Sequence, residues 1–140
     1  MPAERPLVYF WCVGNAMRSQ MAEAYFRAFA GDRYDVRSAG TDPLGRVLAD
    51  VVAVMREEGH DLSTHTSDPI DADLVERAVC IVDLGGRGRT RVPAPLAHKY
   101  VAWNVADPYG AAVGDLRSTR DLIRARVREL VAELDRKAQS

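Results

Sequence analysis

Two residues of chemical interest lie six positions apart near the start of the chain. Cys12 directly follows the apolar run LVYFW (7–11), and Arg18 precedes a segment with helical periodicity. At a turn from strand to helix, backbone N–H groups and the helix dipole attract anions and favour a thiolate. An arginine that closes the turn offers a planar fork of donors matching two oxygens of a tetrahedral oxyanion. This spacing predicts a nucleophilic cysteine inside an anion cradle of phosphate size.

The residues around this turn support the same interpretation. Gly14 permits close backbone approach or a positive φ, and Asn15 is one of the few other residues that tolerates it. Ser19 can cap the helix or donate a hydrogen bond to the sulfur. The nucleotide-binding patterns GxxxxGK[ST] and GxGxxG are absent here, which argues against nucleotide binding. The residues expected to surround the anion are Val13, Gly14, Asn15, Ala16, Met17 and Ser19.

Composition limits the class of protein. The chain has 140 residues, 47% hydrophobic and 28% charged, with a net charge of −1, so we expect one globular domain over 1–140. The chain has no excess of positive charge that would favour nucleic-acid binding. It also has no apolar run of about 20 residues, the length needed to span a membrane. With no signal-peptide pattern and two distant cysteines, we expect a cytoplasmic protein with reduced thiols. Three scattered histidines without paired cysteines have no metal-site spacing, so we expect neither metal nor cofactor.

Apolar runs and helical segments alternate along the chain. Four runs have the composition of buried strands: 7–11, 34–40, 78–84 and 99–105. Segments with helical spacing lie between or after them: 19–30, 45–59, about 71–77 and 115 to about 137. The stretch 85–95 is a loop rich in Gly, Pro and Arg.

Strands alternating with helices predict an α/β fold, a four-stranded parallel sheet with helices on both faces. Ligands in such folds bind at the carboxyl ends of the strands. Residues 12–18, 38–42, 83–90 and 106–110 are therefore expected to share one rim of the sheet.

Several segments resemble the low-molecular-weight protein tyrosine phosphatases and the arsenate reductases that share their fold. The block CVGNAMRSQMAEAYF resembles their signature loop, and similar blocks follow in the same order, over about residues 7 to 134: VRSAGTDP, HDLSTHTSDPI, DPYG and TRDLIRARVRELVAEL. The resemblance is weakest between 84 and 100. It implies a flavodoxin-like strand order.

The resemblance also implies a role for each site residue. Cys12 would take the phosphoryl group, Arg18 and the N–H groups of 13–18 would hold its oxygens, and Asp107 would serve as general acid and then base. Tyr109 would line the mouth of the pocket. The hydrogen-bond network that fixes the loop would comprise Asn15, Ser19, Ser38 and His65. Three other aspartates, Asp42, Asp68 and Asp83, are rivals of Asp107 because two also precede proline and the third ends a strand.

Three functions remain open from the sequence. The first is a phosphatase acting on phosphomonoesters, with protein phosphotyrosine the favoured substrate, through a cysteinyl-phosphate. The second is an arsenate reductase in which a small-molecule thiol or a redoxin releases arsenite from Cys12, since Cys80 is expected to be a buried core residue and no relay cysteine is present. The third is a silent phosphate-binding adaptor, if Trp11 and Met17 crowd the pocket.

Many relatives carry a cysteine where this chain has Met17, so Cys12 would lack an adjacent thiol that protects it from over-oxidation.

Overall fold

Four strands and four α-helices follow one another in the order β-α-β-α-α-β-β-α along residues 4–139, which the computed structural model describes. The strands are β1 (Leu7–Cys12), β2 (Asp35–Gly40), β3 (Cys80–Asp83) and β4 (Tyr100–Ala102). The helices are α1 (Arg18–Ala30), α2 (Ala49–Arg56), α3 (Ala72–Arg77) and α4 (Val113–Ala138). In this part of the chain no helix is long and apolar enough to cross a membrane.

All strand pairings are parallel, in the order β2-β1-β3-β4. This confirms the predicted parallel sheet and its flavodoxin-like order. β1 lies in the middle and all six of its residues are buried, which explains why LVYFW is uninterrupted by polar residues. Cys12 ends β1 opposite Gly40, the last residue of β2, so the carboxyl ends of the two strands meet at one rim.

Both faces of the sheet are covered by helices, as predicted. Val8, Phe10 and Cys12 belong to the larger core cluster, which includes buried residues of α1, α2 and α4. Tyr9 and Trp11 alternate to the other face and pack in a smaller cluster with residues of α3. Trp11 is therefore not part of the pocket described below, and the expectation that it crowds the anion site is wrong.

Three elements are shorter by three residues or more than the sequence predicted. β3 has four residues instead of the seven predicted over 78–84, and β4 has three instead of seven. The Trp103 N–H makes the last bond to β3, at the Asp83 carbonyl, and the Val105 N–H then bonds the Trp103 carbonyl, so the chain turns away where β3 ends. The helix predicted over 45–59 begins at Ala49, since Gly45 has a φ of 99° that no helix accommodates. The loop at 85–95 contains one 3₁₀ turn (Arg89–Arg91) and the start of a second (Ala94–Lys99).

Candidate active site

A pocket of about 220 Å³ opens at the carboxyl end of β1. Its lining comes from the turn after β1, the segment after β2 and the segment after β4: Cys12, Val13, Gly14, Ala16, Met17, Arg18, Asp42, Leu44, Asp107 and Tyr109. Of the residues predicted to surround the anion, Asn15 and Ser19 are instead buried behind the lining.

The backbone of the turn is held from outside by the segment that follows β2. The carbonyls of Cys12, Val13, Gly14 and Ala16 accept hydrogen bonds from N–H groups of residues 41, 42, 44 and 48 at 2.8–3.2 Å. Because these carbonyls are engaged on the outer side, the N–H groups of the turn are free to converge on an anion in the pocket. Segment 41–48 thus shapes the cradle.

The hydrogen-bond order around Cys12 directs a hydroxyl proton at its sulfur. The Asn15 side-chain amide donates to Ser19 Oγ at 2.7 Å, and Ser19 Oγ lies 2.9 Å from Cys12 Sγ. Since the serine oxygen accepts from Asn15, its own proton is available to the sulfur. Ser19 does not cap α1. The N-cap residue of this helix is Met17, and no side-chain hydrogen bond caps the helix there. A hydroxyl aimed at the sulfur stabilises a thiolate more than a thiol.

Arg18 is buried and its guanidinium is fixed by backbone. Nη1 donates to the Val105 carbonyl at 2.7 Å and to the Leu84 carbonyl at 3.2 Å. Its side chain is 6% exposed, and Nη2 lies 3.9 Å from Asp107 Oδ2. The fork that faces the pocket is therefore held in place before any anion arrives.

Two residues allow the turn after β1 to adopt its conformation, Asn15 within the turn and Gly40 at the end of β2. Asn15 has a φ of 49°, the one left-handed non-glycine residue in the described chain, and its Oδ1 accepts from the Asp68 N–H at 2.9 Å. A Cβ at Gly40 would lie 2.5 Å from the Val13 carbonyl oxygen and 2.9 Å from the Asn15 nitrogen. Gly40 therefore allows β2 to approach the turn. It is a site-forming residue that sequence reasoning missed, although a glycine at a strand end on the rim was the available signal.

Asp107 and Tyr109 lie on the wall contributed by the segment after β4. The Asp107 side chain is 59% exposed, and its Oδ1 accepts from the Tyr109 N–H at 3.0 Å. The segment after β2 contributes Leu44 and Asp42 to the lining. Leu44 was not predicted, because nothing in the sequence marks an apolar residue in a turn as a pocket wall. Leu44 and Tyr109 are both exposed and give the mouth an apolar rim.

The aspartates that rivalled Asp107 lie in three different surroundings. Asp83 is buried and accepts from the N–H groups of Gly85, Gly86 and Gly88, so its oxygens are occupied in shaping a loop. Asp68 is exposed and is not part of the pocket lining, whereas Asp42 shares the mouth with Asp107. Only Asp107, however, lies within 4 Å of a nitrogen of Arg18 among the aspartates described.

His65 and Ser38 were both predicted to take part in the hydrogen-bond network of the turn, and the structure places them differently. His65 Nδ1 lies 3.2 Å from Gln20 Oε1, and the Gln20 amide donates to the Asn15 carbonyl at 3.1 Å, so His65 reaches the turn through one intermediate. Gln20 was not predicted. Ser38 donates to Glu23 of α1 and has no bond to the turn, so its expected place in the loop network is wrong.

Cys80 lies at the opposite end of the sheet. It pairs with Val8, four residues before Cys12 along β1, which is about 13 Å at the usual rise of ~3.3 Å per residue. A disulfide requires Cα atoms within about 7 Å. Cys80 is partly buried rather than fully buried as expected, and desolvation, followed by the nearby Glu133 carboxylate, raises its pKa to about 11. Cys12 therefore has no intramolecular thiol partner in this conformation.

Comparison with known proteins gives relatives over nearly the whole chain. The model of a family described as low molecular weight phosphotyrosine protein phosphatase matches residues 7–140. Arsenate reductase 1 of Bacillus cereus is 37% identical over 123 residues, covering 87% of this chain and 91% of that protein.

Two solved structures are similar in fold and in sequence. An arsenate reductase in its phosphate-binding state is 31% identical, with a TM-score of 0.79 over 91% of this chain and 98% of that one. The arginine phosphatase YwlE, with a phosphorylated serine in its active site, is 25% identical, with a TM-score of 0.83 over 92% of this chain and 95% of that one. The relatives thus include proteins named for two different reactions of tetrahedral oxyanions.

Proposed function

This chain belongs to the low molecular weight phosphotyrosine protein phosphatase family, and we propose that it is an arsenate reductase that uses Cys12 as nucleophile and an external thiol as reductant. The observation that carries the proposal is the pairing of Cys12 with a cradle for one tetrahedral oxyanion, in a chain 37% identical to a protein named arsenate reductase. This favours the second of the three functions left open by the sequence.

The first step places arsenate between Arg18 and the N–H groups of the turn. The Cys12 thiolate attacks arsenic, one As–O bond breaks, and the oxygen leaves as water after taking up protons. Asp107, 3.9 Å from Arg18 Nη2, is placed to supply one of them. The product is a Cys12–arsenic(V) adduct whose remaining oxygens stay in the cradle.

The second step reduces arsenic. An external thiolate attacks the Cys12 sulfur, the S–As bond breaks, and its electron pair leaves with arsenic as arsenite. Cys12 is left in a mixed disulfide, which a second external thiol resolves by thiol–disulfide exchange. The net reaction consumes arsenate and two thiols and yields arsenite, one disulfide and water.

The external thiol is required because the only other cysteine is Cys80. Cys80 pairs with Val8 and is therefore too far from Cys12 to attack its sulfur. In addition, the pKa of Cys80 is raised to about 11, so little of its thiolate is present at neutral pH. A reducing cytoplasm would supply such thiols.

The proposal is tested by arsenite formation from arsenate with dithiothreitol, glutathione plus glutaredoxin, or thioredoxin with its reductase. We expect arsenite with at least one of these systems in the unmodified protein and in Cys80→Ser, and none in Cys12→Ser. Arsenite formation that fails with all three systems, in protein whose Cys12 is shown to be reduced, would contradict the proposal.

Phosphate monoester hydrolysis is the second candidate, and the wall of the mouth favours it. Leu44 and Tyr109 form an apolar rim that arsenate does not need but that an organic leaving group would contact. Asp107 would protonate the leaving oxygen and then activate water against a cysteinyl-phosphate.

Asp107→Asn separates the two reactions. An organic alkoxide or phenoxide leaves poorly without an acid, so we expect p-nitrophenyl phosphate hydrolysis to fall by roughly 10²-fold or more. The hydroxyl that leaves arsenate carries its own proton and needs one more from any acid, so arsenite formation should fall much less. A protein that hydrolyses p-nitrophenyl phosphate in a Cys12- and Asp107-dependent way, and forms no arsenite, would be a phosphatase.

A further inference from the structure

We propose that the loop at 84–91 is a docking surface for an acidic redox protein, one that presents its reactive cysteine among carboxylates. The inference rests on the proposed function, because it names the source of the external thiol. It is carried by the charge of the loop, by the way the loop is fixed, and by its place beside Cys12.

The charge of this region is unlike that of the rest of the chain. Residues 84–106 contain three arginines and one lysine but no aspartate or glutamate, whereas the whole chain has a net charge of −1. Lys99 donates to two backbone carbonyls at the end of α3, and Arg89 lies over the Tyr100 ring at 5.9 Å. Arg87 and Arg91 are exposed and have no ion-pair partner among residues 4–139. Two unneutralised positive charges therefore face solvent here.

The loop that carries these arginines is fixed by a buried carboxylate. Asp83 is 1% exposed and accepts from Gly85, Gly86 and Gly88 N–H groups at 3.1, 2.9 and 2.7 Å. Its Oδ2 also accepts from the Tyr100 hydroxyl at 2.6 Å. With four donors and no cation, the carboxylate serves to hold the loop in one conformation.

A second contact fixes the middle of the loop. A Cβ at Gly88 would lie 2.6 Å from the Trp11 ring, so the loop backbone is packed directly against the sheet at this point. The Arg91 N–H then bonds the Gly88 carbonyl at 2.9 Å and closes a 3₁₀ turn. The arginines are thus presented by an ordered backbone, which lowers the entropy cost of binding a partner.

The loop begins at the cradle itself. The Leu84 carbonyl accepts from Arg18, and a Cβ at Gly85 would lie 3.2 Å from the Cys12 Cα. Arg87 is two residues further, so its Cα is at most about 7.6 Å from that of Gly85. Together with the Gly85–Cys12 contact, this puts the Arg87 Cα at most about 12 Å from the Cys12 Cα. That distance is well within the Debye length of ~30 Å at 0.01 M salt, so at low ionic strength a charge at Arg87 acts on a thiolate that approaches Cys12.

The surroundings of the pocket fix the orientation of the partner. Asp42 and Asp107 occupy the mouth and repel carboxylates, whereas Arg87 and Arg91 attract them on one side. Leu44 and Tyr109 are exposed in the pocket lining and offer apolar contact to a partner that covers the pocket. An acidic protein would therefore dock with its carboxylates on the loop and its cysteine over Cys12, and complementary charge would raise the association rate.

The test uses pentapeptides with a central cysteine as probes. One has two glutamates on each side, and its matched control has glutamines. Cys80→Ser protein is first converted to a mixed disulfide between Cys12 and uncharged 2-thiopyridine. Attack of the peptide thiolate then joins Cys12 to the peptide and releases the absorbing thiopyridone. Each rate is divided by the same peptide's rate with free 2,2′-dithiodipyridine, an uncharged disulfide, which corrects for different thiol reactivity without adding charge repulsion.

We expect the acidic peptide to react roughly tenfold faster than the neutral one at low ionic strength, because opposite charges steer association. In Arg87→Gln/Arg91→Gln the preference should fall below about twofold, as it should in 0.5 M salt. Arg128→Gln/Arg136→Gln removes the same charge from exposed positions on α4 and should keep the preference.

Equal rates for the two peptides, or a preference that survives Arg87→Gln/Arg91→Gln, would overturn the proposal. The exchange reaction can also be inhibited by competitors, either a single-stranded oligonucleotide or an acidic peptide that lacks cysteine. Stronger inhibition by the oligonucleotide would also overturn the proposal, because the loop would then be a nucleic-acid surface. The exchange involves no arsenate, so this result is independent of the proposed function. Arsenite formation with dithiothreitol, measured in parallel on the unmodified protein, reports on that function separately.

Discussion

The two cysteines of this chain lie on neighbouring strands but at opposite ends of the sheet. Cys12 closes β1 at the carboxyl rim, beside the Ser19 hydroxyl and the buried Arg18. Cys80 opens β3 at the other rim, where desolvation and Glu133 raise its pKa to about 11. The same side chain is therefore surrounded by donors in one place and by apolar groups and a carboxylate in the other.

Position in the fold decides which of the two thiols does chemistry. At the carboxyl end of a parallel strand the chain turns into a helix, and unpaired N–H groups face the ligand. The amino end of β3, where Cys80 lies, instead follows the carboxyl end of α3.

The largest effect is expected from exchanging the nucleophile. Cys12→Ser should lower both arsenite formation and any p-nitrophenyl phosphate hydrolysis by at least roughly 10³-fold, because a serine hydroxyl in this cradle is far less ionised than the thiol. Cys80→Ser is the matched control and should stay within about twofold in the same assays. A large loss in Cys80→Ser with an unchanged circular dichroism spectrum would contradict the contrast.

A smaller loss is expected when the cradle is deformed but Cys12 is kept. A methyl group at Gly40 would lie 2.5 Å from the Val13 carbonyl oxygen, so Gly40→Ala must shift the turn away from β2. A displacement of this kind costs roughly 10²-fold in turnover. Gly114→Ala places its methyl in open space on α4 and should leave turnover unchanged. Steady-state rates and thermal melts of both variants check this, and equal rates would mean that the turn tolerates the shift.

The next prediction concerns the hydroxyl that faces the sulfur. Ser19→Ala removes the donor 2.9 Å from Cys12 Sγ and leaves the Asn15 amide without its acceptor. We expect alkylation of Cys12 by iodoacetamide at neutral pH, and turnover, to fall roughly tenfold. Ser38→Ala is the control, because its hydroxyl bonds Glu23 instead of the turn. Equal effects of the two substitutions would show that Ser19 has no particular role at the sulfur.

Much of this contrast could be predicted from the sequence. The uninterrupted apolar run before Cys12 and the helical spacing after Arg18 predict a strand, a turn and a helix, which together define the rim. What the sequence could not provide were side-chain partners across elements. Ser38 follows the expected strand pattern, yet its rotamer reaches Glu23, and Leu44 reaches the pocket only because segment 41–48 folds over the turn.

The smallest effect is expected at Cys80 itself. Its pKa, raised from 9.0 to about 11, means that only about one molecule in 10⁴ carries this thiolate at pH 7. Iodoacetamide should therefore modify Cys12 and leave Cys80 almost untouched at neutral pH, with Cys80 labelling rising about tenfold per pH unit. Because the folded protein holds this proton more tightly than the unfolded chain, stability should decline as pH rises from about 9 to 11. Peptide mapping of the labelled protein and melts across this range check both results.

The most direct test of the account is arsenite formed by fully reduced protein in the absence of any added thiol. With Cys12 and Cys80 at opposite ends of the sheet, we predict no arsenite above background, no Cys12–Cys80 disulfide on mass mapping, and turnover restored when an external thiol is added. One arsenite per protein, with a Cys12–Cys80 disulfide, would show that the chain supplies its own second thiol and would contradict the account.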